Sequence, residues 1–364
     1  PLSKKERLAR SDLPLILLGG ANALYSSCLW LDEEETVVDG IFVGEDPAAI
    51  RKLLEIARDL RARKASNGEI LEAWQGVPGF YQPDRPRSTK KAFVWDLGQS
   101  EALEAGPVYY NADALGSAHL QISEGCPCFC SFCAESWDRK PYRERKAVAL
   151  RETALKAKAM MGLDSIEIYS FNFNMHSELY DVLWDLTPGF RSIGLKSQRF
   201  DLLANDPEAI EFQHVLEKTS ITCGLEGISD RLRSYLNKTL TPKELLTSIK
   251  AIFKSKAREL KVFLIATGFE EKADFEELSQ FANELREIRR AMGAGTRVIF
   301  SMTPLVRFPW TPLEFEDAPG MPHYERIIRQ ASAMVRGSGF EFRESADLPE
   351  YWVSQILVRA ADPR

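Results

Sequence analysis

Four of the six cysteines in this 364-residue chain fall within eight positions, at Cys126, Cys128, Cys130 and Cys133. The run is Gly125-Cys126-Pro127-Cys128-Phe129-Cys130-Ser131-Phe132-Cys133, and its Cys126-x3-Cys130-x2-Cys133 spacing supplies three thiolates from one short loop. A [4Fe–4S] cluster held by three thiolates keeps one iron open, and that iron can take a substrate or cofactor. Ligation by Cys128 as well would give a closed electron-transfer cluster, although the tight Cys-x-Cys steps make simultaneous ligation by all four awkward. Zinc is the other thiolate-rich option, but a tetrahedral site wants four ligands, commonly as two pairs, and no second pair or His-x3-His accompanies the triplet. Cysteines clustered in this way, instead of spread as pairs, fit a reducing compartment and a metal or redox role. Cys28 and Cys223 stand alone and read as small buried hydrophobes.

A loop of this kind needs a scaffold. Beyond residue 115 strand-like and helix-like patterns alternate six times, which predicts a parallel sheet with helices outside it. The candidate strands are Leu120–Ser123, Ser165–Tyr169, Ser192–Gln198, Ile221–Gly224, Lys261–Ala266 and Val298–Ser301, with helices over Ala147–Met161, Pro242–Ala257 and Asp274–Met292. Ligands of such sheets collect at the C-terminal ends of the strands, so the residues just after each strand carry the chemistry. Upstream, Leu13-Pro-Leu-Ile-Leu-Leu-Gly19-Gly20 and Val37 to Asp46 read as two strands, and a helix follows from Pro47 to about Lys64. The stretch Val77–Ser88, with three prolines and a glycine, marks a boundary.

Composition narrows the function classes. With 45% hydrophobic and 27% charged residues the chain can bury a large core, and its net charge of −6 does not favour nucleic acid as a partner. The longest apolar run is far short of the ~20 residues a membrane helix requires. The charged N-terminus has no signal-peptide core behind it, so a cytoplasmic location and no membrane partner are expected.

The cysteine loop after the first strand of a six-unit barrel resembles the radical S-adenosylmethionine superfamily. Phe132 before the last cysteine resembles part of that family's usual loop, and Gly-Cys-Pro before it is similar to the family's cobalamin-dependent and methylthiotransferase-like branches. The resemblance implies a [4Fe–4S] cluster on Cys126, Cys130 and Cys133, with S-adenosylmethionine chelated at the open iron. It also implies cleavage to a 5′-deoxyadenosyl radical and an external electron donor such as flavodoxin or ferredoxin. Leu195-Lys-Ser197-Gln-Arg199-Phe-Asp201 resembles the family's Ser-x-Arg-x-Asp run, placing Arg199 on the cofactor carboxylate, a task suited to its planar fork of donors. Gly224-Leu-Glu226-Gly-Ile-Ser229-Asp resembles Gly-Leu-Glu-Ser-Gly-Ser-Asp, placing Glu226 on the ribose hydroxyls or amino group. Asn237-Lys-Thr-Leu-Thr241 is similar to the segment that follows and reads as structural, with Thr241 capping the next helix.

The chain also departs from that pattern. Where the family often has Gly-Gly-Glu, this chain has Tyr169-Ser170-Phe171-Asn172, so Ser170 or Asn172 is expected to replace the lost donors and acceptors. Gly-Leu-Pro-Gly-Glu becomes Thr267-Gly268-Phe269-Glu270-Glu271, and Arg307 and Trp310 in the last-strand proline loop are candidate substrate contacts. Gly19-Gly20 and Gly44-Glu45 resemble the second half of a cobalamin-binding Rossmann domain, with Gly19, Gly20, Gly44 and Glu45 facing a corrinoid tail over the barrel mouth. The Asp-x-His-x-x-Gly motif of its first half is absent, so that half is either missing or reduced. The expected architecture is α/β. It comprises a partial Rossmann segment at 1–85, a partial (β/α)6 barrel of radical SAM type at 86–315 and a C-terminal extension at 316–364. The expected activity is cobalamin-assisted methylation of an unactivated carbon in a small-molecule or peptide substrate. Radical rearrangement, cyclisation or sulfur insertion without cobalamin, or an iron–sulfur electron carrier, are the alternatives.

Overall fold

The computed structural model describes residues 3–23, 25, 38–82, 85, 89–98, 116–216, 219–344 and 347–359. Cys28 lies outside them. The chain forms two compact units, Pro1–Glu101 with Ser354–Arg364, and Ala102–Val353.

In the first unit, β1 (Leu17–Leu18) and β2 (Gly40–Phe42) pair in parallel, with Leu17 opposite Gly40. β3 (Phe80–Tyr81) joins β2 antiparallel, so the proline-rich stretch contributes a strand to this sheet. The helix Pro47–Ala62 starts on Asp46, whose side chain accepts from the Ala48 amide, with proline in the first turn where a missing N–H costs nothing. Leu53, Ile56, Ala57 and Leu60 recur at helical spacing and pack this helix on a core of Phe42, Ile70, Leu71, Trp74 and Phe80.

The second unit carries the parallel strands. β4 (Ala118–Gln121), β7 (Ser165–Tyr169) and β8 (Ser192–Gly194) form one sheet in the order β4-β7-β8, and between β4 and β7 lies the antiparallel pair β5 (Ser123–Glu124) and β6 (Arg143–Glu144). β9 (Ser220–Glu226), β10 (Glu259–Ala266), β11 (Arg297–Pro304) and β12 (Glu341–Glu344) form a second parallel sheet in that order. A parallel bridge between Gln198 and Cys223, with the Gln198 amide bonded to the Thr222 carbonyl at 2.9 Å, continues one sheet into the other. The result is an open parallel array of partial-barrel type.

Alternation along each strand decides which face is covered. Leu120, Ile166, Ile168, Ile193 and Leu195 pack against Leu150, Ala154, Val182 and Leu183 of the helices Ala147–Met161 and Leu179–Leu186, whereas Glu167 and Tyr169 point the other way. The helix Ala147–Met161 stops at Gly162, a left-handed residue at φ 66°. Residues beyond 316 extend the same array: the helix Met321–Gly337 buries Tyr324, Ile327, Ile328 and Val335, and β12 adds a seventh parallel strand. Among the described residues no helix is long and apolar enough to cross a membrane.

Candidate cluster and cofactor site

The cysteine loop hangs from the β5–β6 pair. Gly125 has φ 79°, and a side chain there would collide with the carbonyl oxygens of Arg139 and Pro141, so the loop can close only on glycine. Trp137 Nε1 donates to the Cys130 carbonyl at 3.0 Å, and the Cys133 amide to the same oxygen at 3.1 Å. Three bonds then tie the loop to the segment after β9. The Ser131 amide donates to Leu236 O at 3.0 Å, Ser131 Oγ to Tyr235 O at 2.9 Å, and Asn237 Nδ2 to Phe129 O at 2.8 Å. Phe132 packs half-buried against the main core around β9 to β11.

The thiols influence one another electrostatically: Cys133 acts on Cys130, and Cys126 on Cys133. Cys126 is pulled down to about 5 by the thiol of Cys128 that donates to it, with lesser help from Ser136 and Asn172. The same contact, with burial, pushes Cys128 up. Burial also raises Cys130, opposed by the cations of Lys238 and Arg199. Cys128 Sγ lies 3.7 Å from Met175 Sδ. Among the described residues no three His, Cys, Asp or Glu side chains meet around a single ion.

The strand ends bring the other expected residues to the loop. After β7, Asn172 Nδ2 lies 3.4 Å from Cys126 Sγ as a donor, while Ser170 locks the turn, its hydroxyl 2.7 Å from Ser123 Oγ and 3.2 Å from the Asn172 amide that donates to it. After β8, Arg199 is 3% exposed and acts on Cys128 and Cys130. Asp201 takes its Nε at 2.9 Å and Nη2 at 2.9 Å, which leaves Nη1 outside that fork, and Asn174 brackets the Arg199 backbone. Burial works against the charge of Arg199, but the pair with Asp201 holds it above its usual pKa. At the end of β9, Glu226 sits at φ 66°, and its carboxylate folds back over Gly224, where a side chain would strike it. Ser229, not Glu226, caps the following helix, accepting from the Leu232 amide. A cavity of about 650 Å³ reaches Asp201 and Lys238 from the side of Asn205 and Thr239.

Lys238 and Asp201 are the partners the sequence did not single out. Lys238 Nζ lies 3.5 Å from Glu226 Oε1 and belongs to the segment read as structural, whose Thr241 does form a capping box with Glu244. Arg307 braces the far strand ends, donating to Tyr324 Oη at 2.8 Å and Thr267 O at 3.4 Å, and Trp310 is half-exposed at a turn. Glu270 accepts from the Thr267 and Gly268 amides, a bonded turn in place of the proline-glycine one.

In the first unit, Gly19 and Gly20 follow β1, and Gly44 and Glu45 follow β2. Gly20 has φ 102° with open space where a side chain would stand. Gly44 has φ 136° and is pressed on the Ala92 backbone, and Glu45 donates its amide to Ala92 O at 2.9 Å and faces Lys91 Nζ at 3.9 Å.

Three thiols on one loop, bordered by a tethered guanidinium and a carboxylate at successive strand ends, define a class. Residues 120–282 match the family model described as the radical SAM superfamily. The chain is 26% identical over 224 residues to an uncharacterized protein of Methanocaldococcus jannaschii, an alignment covering 58% of this chain and 46% of that one. It is also 26% identical over 210 residues to the ribosomal protein uS12 methylthiotransferase RimO of Clostridioides difficile, covering 53% and 45%. The chain thus spans under half the length of these curated relatives. Its fold is shared with two solved structures of the cobalamin-dependent kind that the sequence resembles. The cobalamin-dependent S-adenosylmethionine radical enzyme OxsB aligns at 12% identity and TM-score 0.59 over 90% of this chain and 49% of that one. The radical S-adenosylmethionine methyltransferase TsrM of Kitasatospora setae aligns at 15% and 0.53 over 84% and 57%.

The donor set fits the cofactors of that superfamily. Cys126, Cys130 and Cys133 are soft donors, cations act on Cys130, and Glu226 and the Nη1 of Arg199 left outside the Asp201 fork can receive the amino and carboxylate groups of S-adenosylmethionine.

Proposed function

We propose that Cys126, Cys130 and Cys133 hold a [4Fe–4S] cluster with S-adenosylmethionine at its open iron, and that the protein methylates an unactivated carbon with the help of cobalamin. When bound, the cluster supplies the electron that splits the C–S bond of S-adenosylmethionine into methionine and a 5′-deoxyadenosyl radical. The chain's own residues bind and orient. Arg199, kept in place by Asp201 and Asn174, offers Nη1 to the carboxylate; Glu226 accepts from the amino group or ribose; Asn172 donates to Cys126 and, with Ser170, shapes the turn beneath it. The carrying observation is that the three thiols, Asn172, Arg199 and Glu226 come from four separate segments yet share one electrostatic neighbourhood.

Cobalamin rests on the fold shared with OxsB and TsrM and on the parallel β1–β2 edge, where Gly20 leaves an open approach and Gly19 stands beside it. Glu45 borders that edge, and Gly44 serves the contact with Ala92. Flavodoxin or ferredoxin would supply the electron, since radical SAM enzymes need an external reductant. The likeness to RimO favours a second reading, sulfur insertion without cobalamin. Anaerobic reconstitution followed by mass analysis for 5′-deoxyadenosine and bound corrinoid tests both. Deoxyadenosine with corrinoid is expected; deoxyadenosine alone favours the second reading, and the absence of both would contradict the proposal.

A further inference from the structure

Two buried cations act on the Cys130 thiol, and each is tied to a carboxylate of its own. Arg199 is paired with Asp201 after β8, and Lys238, 7% exposed, is paired with Glu226 after β9. The backbone fixes Lys238 in this position. Its amide donates to Arg233 O at 2.8 Å, and its neighbours Tyr235, Leu236 and Asn237 receive or give the three bonds that fasten residues 129 and 131 of the cysteine loop. A side chain on Gly224 would meet both the Glu226 carboxylate and, at 3.5 Å, Lys238 Nζ, so the bare glycine surface is what lets this ion pair lie flat beside the loop. A buried lysine with a single carboxylate partner is costly unless a second negative group shares it.

We propose that Lys238 is a positioning residue with two partners: it holds the Glu226 carboxylate in place for the cofactor, and it places a positive charge beside the Cys130 thiolate that sets the reduction potential of the cluster. The inference rests on the cluster assignment above, and it adds a residue to which no role has been given. Removing the lysine alone leaves Glu226 as an uncompensated carboxylate next to an already anionic cluster, which disfavours adding an electron. Removing both members takes away a pair of no net charge.

Reconstituted wild type, Lys238→Arg, Lys238→Met and the double variant Lys238→Met/Glu226→Gln would be compared by iron content, by redox titration of the reduced-cluster EPR signal, and by thermal melting of the apo proteins. Lys238→Met is expected to shift the potential to more negative values with iron retained, Lys238→Arg to restore it, and the double variant to return toward wild type. In the apo proteins Lys238→Met should melt lower than the double variant, a comparison that needs no cluster. An unchanged potential in Lys238→Met, or a double variant that melts lower than Lys238→Met, would overturn the proposal. Wild type that loads no cluster would instead defeat the cluster assignment, while the apo comparison still decides the Lys238–Glu226 pair.

Discussion

The cysteine loop of the second unit lies one short antiparallel strand beyond the end of the parallel strand β4, and the glycine pair of the first follows the parallel strand β1 directly, yet the two places use their special residues differently. Around the loop, buried charged groups arrive from distant segments: Arg199 and Lys238 on Cys130, Asn172 on Cys126. At the glycine edge, the nearest neighbours are backbone and apolar side chains, with Gly44 against the Ala92 backbone and Gly40 against the Phe80 ring. A thiol in a short, dense set has few structural uses, whereas a glycine has many, so equal-looking motifs carry unequal chemical information.

The largest effect that would break this contrast is loss of iron. Cys126→Ala, Cys130→Ala or Cys133→Ala should each abolish cluster content after reconstitution, while Cys128→Ala should keep it, measured by iron analysis and absorption. Equal loss in all four would make Cys128 a ligand and the protein resemble a carrier. Next come the two glycines pressed hardest on neighbouring backbone. Gly125→Ala and Gly44→Ala each force a methyl into a carbonyl oxygen and should cost about 1–3 kcal/mol, seen as a lower melting temperature. Only Gly125→Ala should also lose iron; iron lost from Gly44→Ala would erase the distinction.

A smaller effect separates binding from loading. Arg199→Ala and Glu226→Gln remove charged hydrogen bonds worth about 1.5–3 kcal/mol, so S-adenosylmethionine affinity should fall about tenfold to a hundredfold with iron unchanged. Titration calorimetry on the anaerobic protein reads this directly, and unchanged affinity in both would return them to structural roles. The smallest effect is Gly20→Ala, which meets no atom but must hold φ 102°, a strain of roughly 1–2 kcal/mol. Weaker corrinoid binding beyond that small stability loss would sharpen the case for a ligand at the first unit's edge.

Much of the scaffold was legible because periodicity is local. Ser165–Tyr169 and Ala147–Met161 stand where the pattern placed them, the first as a β-branched run, the second ended by Gly162. β12 escaped notice because Glu341-Phe342-Arg343-Glu344 buries only Phe342, so an edge strand leaves almost no apolar signal. The cysteine spacing suggests the proposed donor set, since three candidate ligands from one loop are written almost consecutively. Lys238 and Asp201 were not legible as site residues: each matters through a partner in another segment or turn, Glu226 for one and Arg199 for the other, and a charge near a helix start reads equally well as capping. Nor could spacing tell that Ser170 would bond to Ser123 while Asn172 reached Cys126, because both follow the same strand and differ only in side-chain direction.

The central claim is three protein thiolates and one open iron. EPR of the dithionite-reduced, reconstituted protein, recorded with and without S-adenosylmethionine, tests it most directly. An open iron should take the amino and carboxylate groups and change the g-values of the cluster signal, and the change should weaken in Arg199→Ala. A spectrum unaffected by saturating S-adenosylmethionine would mean a cluster closed by four protein ligands, and would contradict the assignment.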